Sequence, residues 1–302
     1  MGGKIVNQFD IPEVLEVYTH HNNYEVLELN PNDRRCIIYF SSHDLYYPNQ
    51  PHVFHRNIIE GNRFEWKNNV LRSAKRAIFV RDVTKQWYLD GINPRLNTIE
   101  KLASFLAEQT LGLEVICVGN SAGGYVATLI GSLLQASHVF NFSGQFSLHE
   151  MVQTAEDRAL HPTVVKYENN PEYRKHYSIV GTLKAAATPV FYFFPAHAAW
   201  DSSQSQLVAG LQSVYPFRFD TEQHGSTCYY INYLDLFSKT REELCQLYSR
   251  YQNTEVSQFE FSVGTSGLAK TLAFKVKRGL RGFVNSFRLL SPSTNSFLTL
   301  VF

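Results

Sequence analysis

The sequence predicts an α/β protein, built on a mostly parallel twisted sheet with helices on both faces. Three observations predict it. Short, continuous apolar runs rich in β-branched and aromatic residues read as strands buried on both sides. Stretches of helical spacing separate these runs, and that alternation implies parallel strands joined by crossover helices. Finally, Gly119-Asn120-Ser121-Ala122-Gly123 stands where one apolar run gives way to a helical pattern.

The expected strands are 35–42 (RCIIYFSS), 76–82 (RAIFVRD), 114–120 (EVICVGN), 138–143 (HVFNFS), 189–196 (PVFYFFPA) and 217–221 (FRFDT). Helices are expected at 97–109, with Ile99, Leu102, Phe105 and Leu106 at helical spacing, and at 122–135. A helix over 202–214 has Asp and Ser at its start, where a cap belongs, and 229–251 reads as one long helix. The stretch 144–188, rich in His, Tyr and charge, breaks the pattern and reads as a cap-like insertion over the strand ends. These elements make 1–251 the main domain. A polar linker follows over 251–266, within a C-terminal extension spanning 252–302. In 267–290, Leu268, Leu272, Val276, Leu280, Phe283 and Phe287 share one helical face, and most of the basic residues lie off it.

Composition excludes several classes. With 44% hydrophobic and 18% charged residues in 302, the chain is globular and long enough for a sizeable core. No apolar run is long enough for a transmembrane helix, and MGGKIVNQFD lacks the apolar core of a secretory signal. Cys36, Cys117, Cys228 and Cys245 show no metal or disulfide spacing, which predicts reduced thiols and a cytoplasmic protein. Net charge is +1, but residues 261–302 carry six Lys or Arg and no acid. Residues 1–260 are left with 22 basic and 27 acidic residues, a charge of −5.

A serine on the first turn after a central strand sits at the edge where open parallel sheets bind ligands. If the turn is tight, the residues two before and two after must be small, which gives the spacing G-x-S-x-G. The helix that follows aims its free N–H groups at the serine. Such a serine needs a base, and the base needs an orienting acid. Asp201 follows the strand 189–196 and His224 follows 217–221, the order and positions that an acyl-transfer site on such a sheet requires. Asp220 and Glu222 are rival acids. An oxyanion would take the N–H of Ala122 and a second one from Ser41 or Ser42 in the loop after the first strand, with Ser42 favoured.

With "GNSAGG", "WDSS" and "QHGS" in these positions, the chain resembles the α/β-hydrolases over about 35–250. The resemblance implies an eight-stranded, mostly parallel sheet, a Ser121-His224-Asp201 triad and acyl chemistry without a metal or cofactor. A finer resemblance lies in "VRDVTKQWYLDGI", "GNSAGGYVATLIGSLL" and "FNFSGQFSL". These are similar to hydrolase-like proteins of bacterial surface-polysaccharide biosynthesis. It implies an esterase, or an O-acetyltransferase with acetyl-CoA as donor, acting on a glycan ester. The basic extension departs from that pattern.

Asp82, Trp87, Tyr88, His197 and Trp200 are the substrate-facing candidates: Asp82 ends a strand and the rings offer flat faces to a sugar. The basic stretch 267–290 has three readings: a helix on an anionic membrane surface at the inner face, a grip on an anionic polymer, or a solvated helix docked on its own domain. No nucleic-acid motif is present. The rival to an enzyme is an inactive hydrolase fold serving as a binding or scaffold protein in polysaccharide assembly.

Overall fold

A computed structural model describes residues 8–225 and 227–278. Eight strands form one sheet: β1 (Tyr24–Glu28), β2 (Arg35–Phe40), β3 (Arg76–Val80), β4 (Glu114–Asn120), β5 (His138–Phe142), β6 (Val190–Pro195), β7 (Val214–Phe219) and β8 (Glu255–Val256). Their order is β1-β3-β2-β4-β5-β6-β7-β8. β1 runs antiparallel to β3, with Tyr24 opposite Val80, and every other pairing is parallel. The six strands expected from apolar runs are all present. The two edge strands were not expected. β1 is half-buried and carries Glu25 and Glu28, while β8 is only two residues long; neither makes a continuous apolar run.

Alternate residues of the inner strands feed two cores. Cys36, Ile38 and Phe40 of β2 face one side with Ile78, Cys117 and Val126. Ile37 and Tyr39 face the other with Phe79, Val118, Phe142 and Phe193. The helix Ala122–Leu133 is buried along nearly its whole length and packs on β4 and β5. The cysteines are free, with Cys245 only half-buried.

Several boundaries differ from the sequence reading. β7 starts at Val214 rather than at 217, so it contains Pro216. The proline is tolerated because β8 pairs only with Arg218 and Phe219, leaving that edge of β7 open beside Pro216. The helix expected over 202–214 spans Ala199–Leu207 and is followed by a turn with Gly210 at φ 79°. The long helix over 229–251 is two, Tyr230–Phe237 and Arg241–Tyr251. Thr240 starts the second with a capping box closed by Glu243, so the chain can turn and send Leu236, Phe237, Leu244 and Leu247 into one core.

The stretch expected as a linker is structured: it holds β8 and the helix Gln258–Ser266, capped by Ser257 and Glu260. Phe261, fully buried there, packs its ring against Phe193, Phe217 and Phe219. A further helix runs from 268 to the end of the described residues at 278. Thr271 and Phe274 dock it on the body, whereas Leu268, Leu272 and Val276 are exposed. The rest of the expected amphipathic stretch, including Leu280, Phe283 and Phe287, lies outside the described residues. Among the described residues no helix is long and apolar enough to cross a membrane.

Phe261 gives a direct check on the reassigned linker. Replacing it with Ala should lower the unfolding free energy by about 3–5 kcal/mol, because it opens a cavity among the rings of Phe193, Phe217, Phe219 and Tyr251. Urea denaturation measures this; a loss below about 1 kcal/mol would return 252–266 to a peripheral linker.

Candidate active site

The turn from β4 into the helix Ala122–Leu133 sets the geometry. Ser121 has φ 50° and ψ −122°, a backbone conformation that costs a non-glycine residue about 1–3 kcal/mol. Neighbouring elements hold it there. Its N–H donates to Phe142 O at 2.8 Å, and its carbonyl accepts from Tyr125 N at 3.0 Å. The flanking glycines are required by contact. A Cβ on Gly119 would stand 2.0 Å from the carbonyl oxygen of Gly123, and one on Gly123 would stand 2.5 Å from that of Phe40. The elbow is thus pressed between its own helix and the end of β2.

His224 Nε2 lies 3.0 Å from Ser121 Oγ. The other ring nitrogen, Nδ1, lies 2.8 Å and 3.0 Å from the two carboxylate oxygens of Asp201. Asp201 is buried, 3% exposed, in the first turn of the helix Ala199–Leu207, whose N-terminal dipole favours its negative charge. This network suits a proton on Nδ1 directed at Asp201, leaving Nε2 to accept from the serine hydroxyl. The loop carrying His224 is pinned by Gly225 N–H, which donates to Ser143 Oγ at 3.2 Å. Ser143 itself sits at φ 52° just beyond β5. The sequence reading had no signal for this serine. Asp220, a rival acid, instead meets His197 at 3.0 Å.

The oxyanion donors need a correction. Ala122 N–H opens a helix and has no intrahelical partner. Neither Ser41 nor Ser42 has its amide free: Ser41 N–H continues the ladder to Val80 O at 2.9 Å, and Ser42 N–H donates to the Glu65 carboxylate. One residue later, His43 N–H begins the turn His43–Tyr46 and makes no hydrogen bond among the described residues. The expected position was one residue short, because pairing with β3 takes the Ser41 amide and the Glu65 carboxylate takes the Ser42 amide.

The segment around Glu65 clamps this turn. Glu65 N–H donates to Ser41 Oγ at 3.3 Å and Trp66 Nε1 to Phe40 O at 3.0 Å, alongside the Glu65–Ser42 contact. Burial pushes the Glu65 carboxyl above its ordinary value, against the pull of the Ser42 hydrogen bonds. The His43 ring is enclosed as well, its Nε2 unpartnered, and burial together with Lys85 holds its pKa well below the usual histidine value.

Neither a family model nor a curated protein matches the chain. Solved structures do. The capsule O-acetyltransferase of Neisseria meningitidis serogroup A is similar over 76% of this chain and 92% of its own, at 10% identity and a TM-score of 0.50. Brefeldin A esterase, a bacterial homologue of human hormone-sensitive lipase, is similar over 83% and 88%, at 14% identity and a TM-score of 0.42. A lipase/esterase from Lactobacillus plantarum is similar over 67% and 91%, at 13% identity and a TM-score of 0.39. The chain has the α/β-hydrolase fold. At these identities the likeness is one of fold, and the chemistry is argued from the chain's own residues.

Within this α/β-hydrolase fold, most of the expected substrate contacts are structural. Asp82 is buried, and its two oxygens accept from Thr84 N and Oγ1, Gln86 N and Tyr88 N. Burial raises its pKa while those hydrogen bonds lower it, with burial the larger effect. It organises a loop in which Lys85, Trp87 and Tyr88 all have positive φ. Tyr88 OH donates to Ser41 O at 2.8 Å, and Trp87 Nε1 donates to Gln145 Oε1 at 3.0 Å. Both rings are buried, Trp87 between the rings of His43 and His161. His197 turns away to an exposed cluster with Asp220 and Glu255. Trp200 stands with its ring 5.4 Å from that of His224.

The insertion 144–188 is a set of short helices that bridges the Asp82 loop and the Asp201 helix. Thr163 N–H donates to Gln86 Oε1 at 2.9 Å, and Phe146 and Ser147 N–H donate to Gln204 Oε1 at 2.8 and 3.0 Å.

If Asp82 is a buried organiser, Asp82→Ala should cost about 2–4 kcal/mol of stability, since it strands three backbone N–H groups. Thermal and urea unfolding check this. An unchanged stability would return Asp82 to the substrate-facing role.

Proposed function

We propose that the protein performs serine-dependent acyl-ester chemistry, as an esterase or an O-acetyltransferase. One observation carries the reading: Ser121 Oγ, His224 and Asp201 form a continuous hydrogen-bonded chain, at 3.0 and 2.8 Å, on a strained strand-to-helix turn. Strain of this kind persists only where surrounding structure enforces it, and here it holds the hydroxyl out at a helix N-terminus.

In this reading Ser121 Oγ attacks the ester carbonyl as His224 Nε2 takes the hydroxyl proton. Asp201 keeps the ring oriented and stabilises the imidazolium. The N–H groups of Ala122 and His43 receive the developing oxyanion, both without a competing partner among the described residues. His224 returns the proton to the leaving alkoxide, and the acyl group remains on Ser121. Water then gives hydrolysis; where acetyl-CoA is the donor, the bond broken is its thioester, CoA leaves as the thiol after taking the proton from His224, and a sugar hydroxyl then takes the acetyl group from Ser121. The capsule O-acetyltransferase among the structural neighbours makes a surface glycan the first acceptor class to try, and the Trp200 ring offers a flat face for it.

A fluorophosphonate probe tests the mechanism. Intact mass should show one adduct on the wild type and none on Ser121→Ala or His224→Ala. Asp201→Asn should fold normally and lower the rate of an activated-ester assay by about 10³–10⁴-fold. A folded wild type that reacts with neither probe nor small activated ester would favour the inactive scaffold.

We further propose that the protein is cytoplasmic and that its C-terminal helix makes peripheral contact with an anionic membrane surface. Leu268, Leu272 and Val276 are 54%, 47% and 62% exposed and recur every fourth residue, on a different face from the docked Thr271 and Phe274. Lys275, Lys277 and Arg278 accompany them with no acid in that helix. Vesicles containing phosphatidylglycerol should pellet the full chain at low salt, and Leu272→Asp with Val276→Asp should reduce binding at least about tenfold. Equal binding to neutral vesicles, or none to either, would contradict this.

A further inference from the structure

Arg81, the residue after β3, has a guanidinium buried to 1% exposure without a carboxylate partner. Its Nε donates to Asn23 Oδ1 at 3.1 Å and its Nη1 to Arg63 O at 3.0 Å, while the Phe64 ring lies 4.5 Å from Cζ. Those partners are neutral. Glu25 attracts Arg81 from a distance, but its carboxylate is bound to Lys67 at 2.7 Å. Burial lowers the Arg81 pKa to about 10, so the group remains a cation at neutral pH. A buried cation is costly unless an anion compensates it.

Beside the guanidinium lies an open surface cavity of about 170 Å³, lined also by His21, Asn22, Asn23, Tyr24, Asn62 and Phe64, which Arg81 reaches with its last exposed edge. Among the described residues Nη2 has no hydrogen-bond partner, and neither does the side-chain amide of Asn62. The cavity is several times the roughly 30 Å³ that one water occupies in the liquid. Its walls therefore combine an unpaired charge, free donors and space, which is what a small anion needs. Among the described residues no acidic side chain lines it.

We infer that this cavity is a binding site for a phosphate-sized oxyanion, held by Arg81 through its free Nη2 and by Asn62 at the mouth. The position gives the site a use. β3 and β4 flank β2, so the backbones of Arg81 and Ser121 leave the same edge of the sheet two strand spacings apart, about 10 Å, and the Arg81 side chain extends from there toward Asn23 beside β1. Arg63, whose carbonyl holds Arg81, is two residues from the Glu65 that holds the Ser42 amide. An anionic group on a substrate, or a free phosphate, would meet the same chemistry here.

Calorimetric titration of the full chain with inorganic phosphate, against sodium chloride at matched ionic strength, tests the site directly. A saturable isotherm with a Kd of about 1 mM or tighter is expected for the wild type and for Ser121→Ala, with no response to chloride. Arg81→Met should abolish it. Asn62→Asp places a carboxylate at an exposed rim position, should leave the fold intact, and should weaken binding at least tenfold, so the test survives if Arg81→Met fails to fold. A hexose 6-phosphate titrated in parallel distinguishes the sources: tighter binding than phosphate marks a substrate-borne group, and equal binding marks the free ion. Absence of saturable binding by the folded wild type, or unchanged affinity in Asn62→Asp and in any folded Arg81→Met, would overturn the assignment. None of these results depends on the esterase reading, because each is measured without turnover.

Discussion

The close approach of three backbones at Ser121 governs the geometry of the candidate site. The end of β4, the first turn of the following helix and the last residues of β2 meet with no room for a Cβ at Gly119 or Gly123. That contact drives Ser121 into the positive-φ region and directs its hydroxyl toward His224. The same contact sets the turn after β2 against the helix N-terminus, bringing the amides of His43 and Ala122 to one end of the sheet. The strain is local, and the buried helix Ala122–Leu133 and the β4–β5 pairing hold it in place.

The loops around that point are built by inward-facing polar groups. Asp82 gathers three backbone N–H groups, and Glu65 holds one amide of the β2 turn. Asn141, fully buried, joins Thr128 Oγ1 to Gly144 N–H. Loops that pass close to a buried sheet edge cannot leave their amides to water, so carboxylates and amides from within take that place. This is why residues that look ligand-facing in sequence become scaffold in the fold. Arg81 differs because its charge is buried without an equal and opposite one.

Both edges of the sheet are closed by segments of weak local pattern. β1 adds antiparallel beside β3, and β8 adds two residues beside β7, with Phe261 anchoring the helix behind it. Their stability comes from docking onto a sheet already formed, in keeping with the small part that propensity plays in short elements.

The sequence by itself determined the α/β class, the six inner strands, the elbow and the order Ser121, Asp201, His224. Each of these leaves a local mark: a continuous apolar run, a glycine two residues on either side of a serine, or a polar residue just past a strand. The capping box at Thr240 was also written locally, although the apolar pattern around it suggested one continuous helix. Only the tertiary structure decided which amide after β2 stays free, since that depends on how far pairing with β3 extends and on Glu65 reaching the Ser42 amide. It likewise decided that Asp82, Trp87 and Tyr88 point inward while Trp200 stays beside the triad residues, and that His197 leaves the site for Asp220. Those outcomes follow from which neighbours, distant in sequence, reach each polar group first, and no residue's own surroundings in the chain encode that.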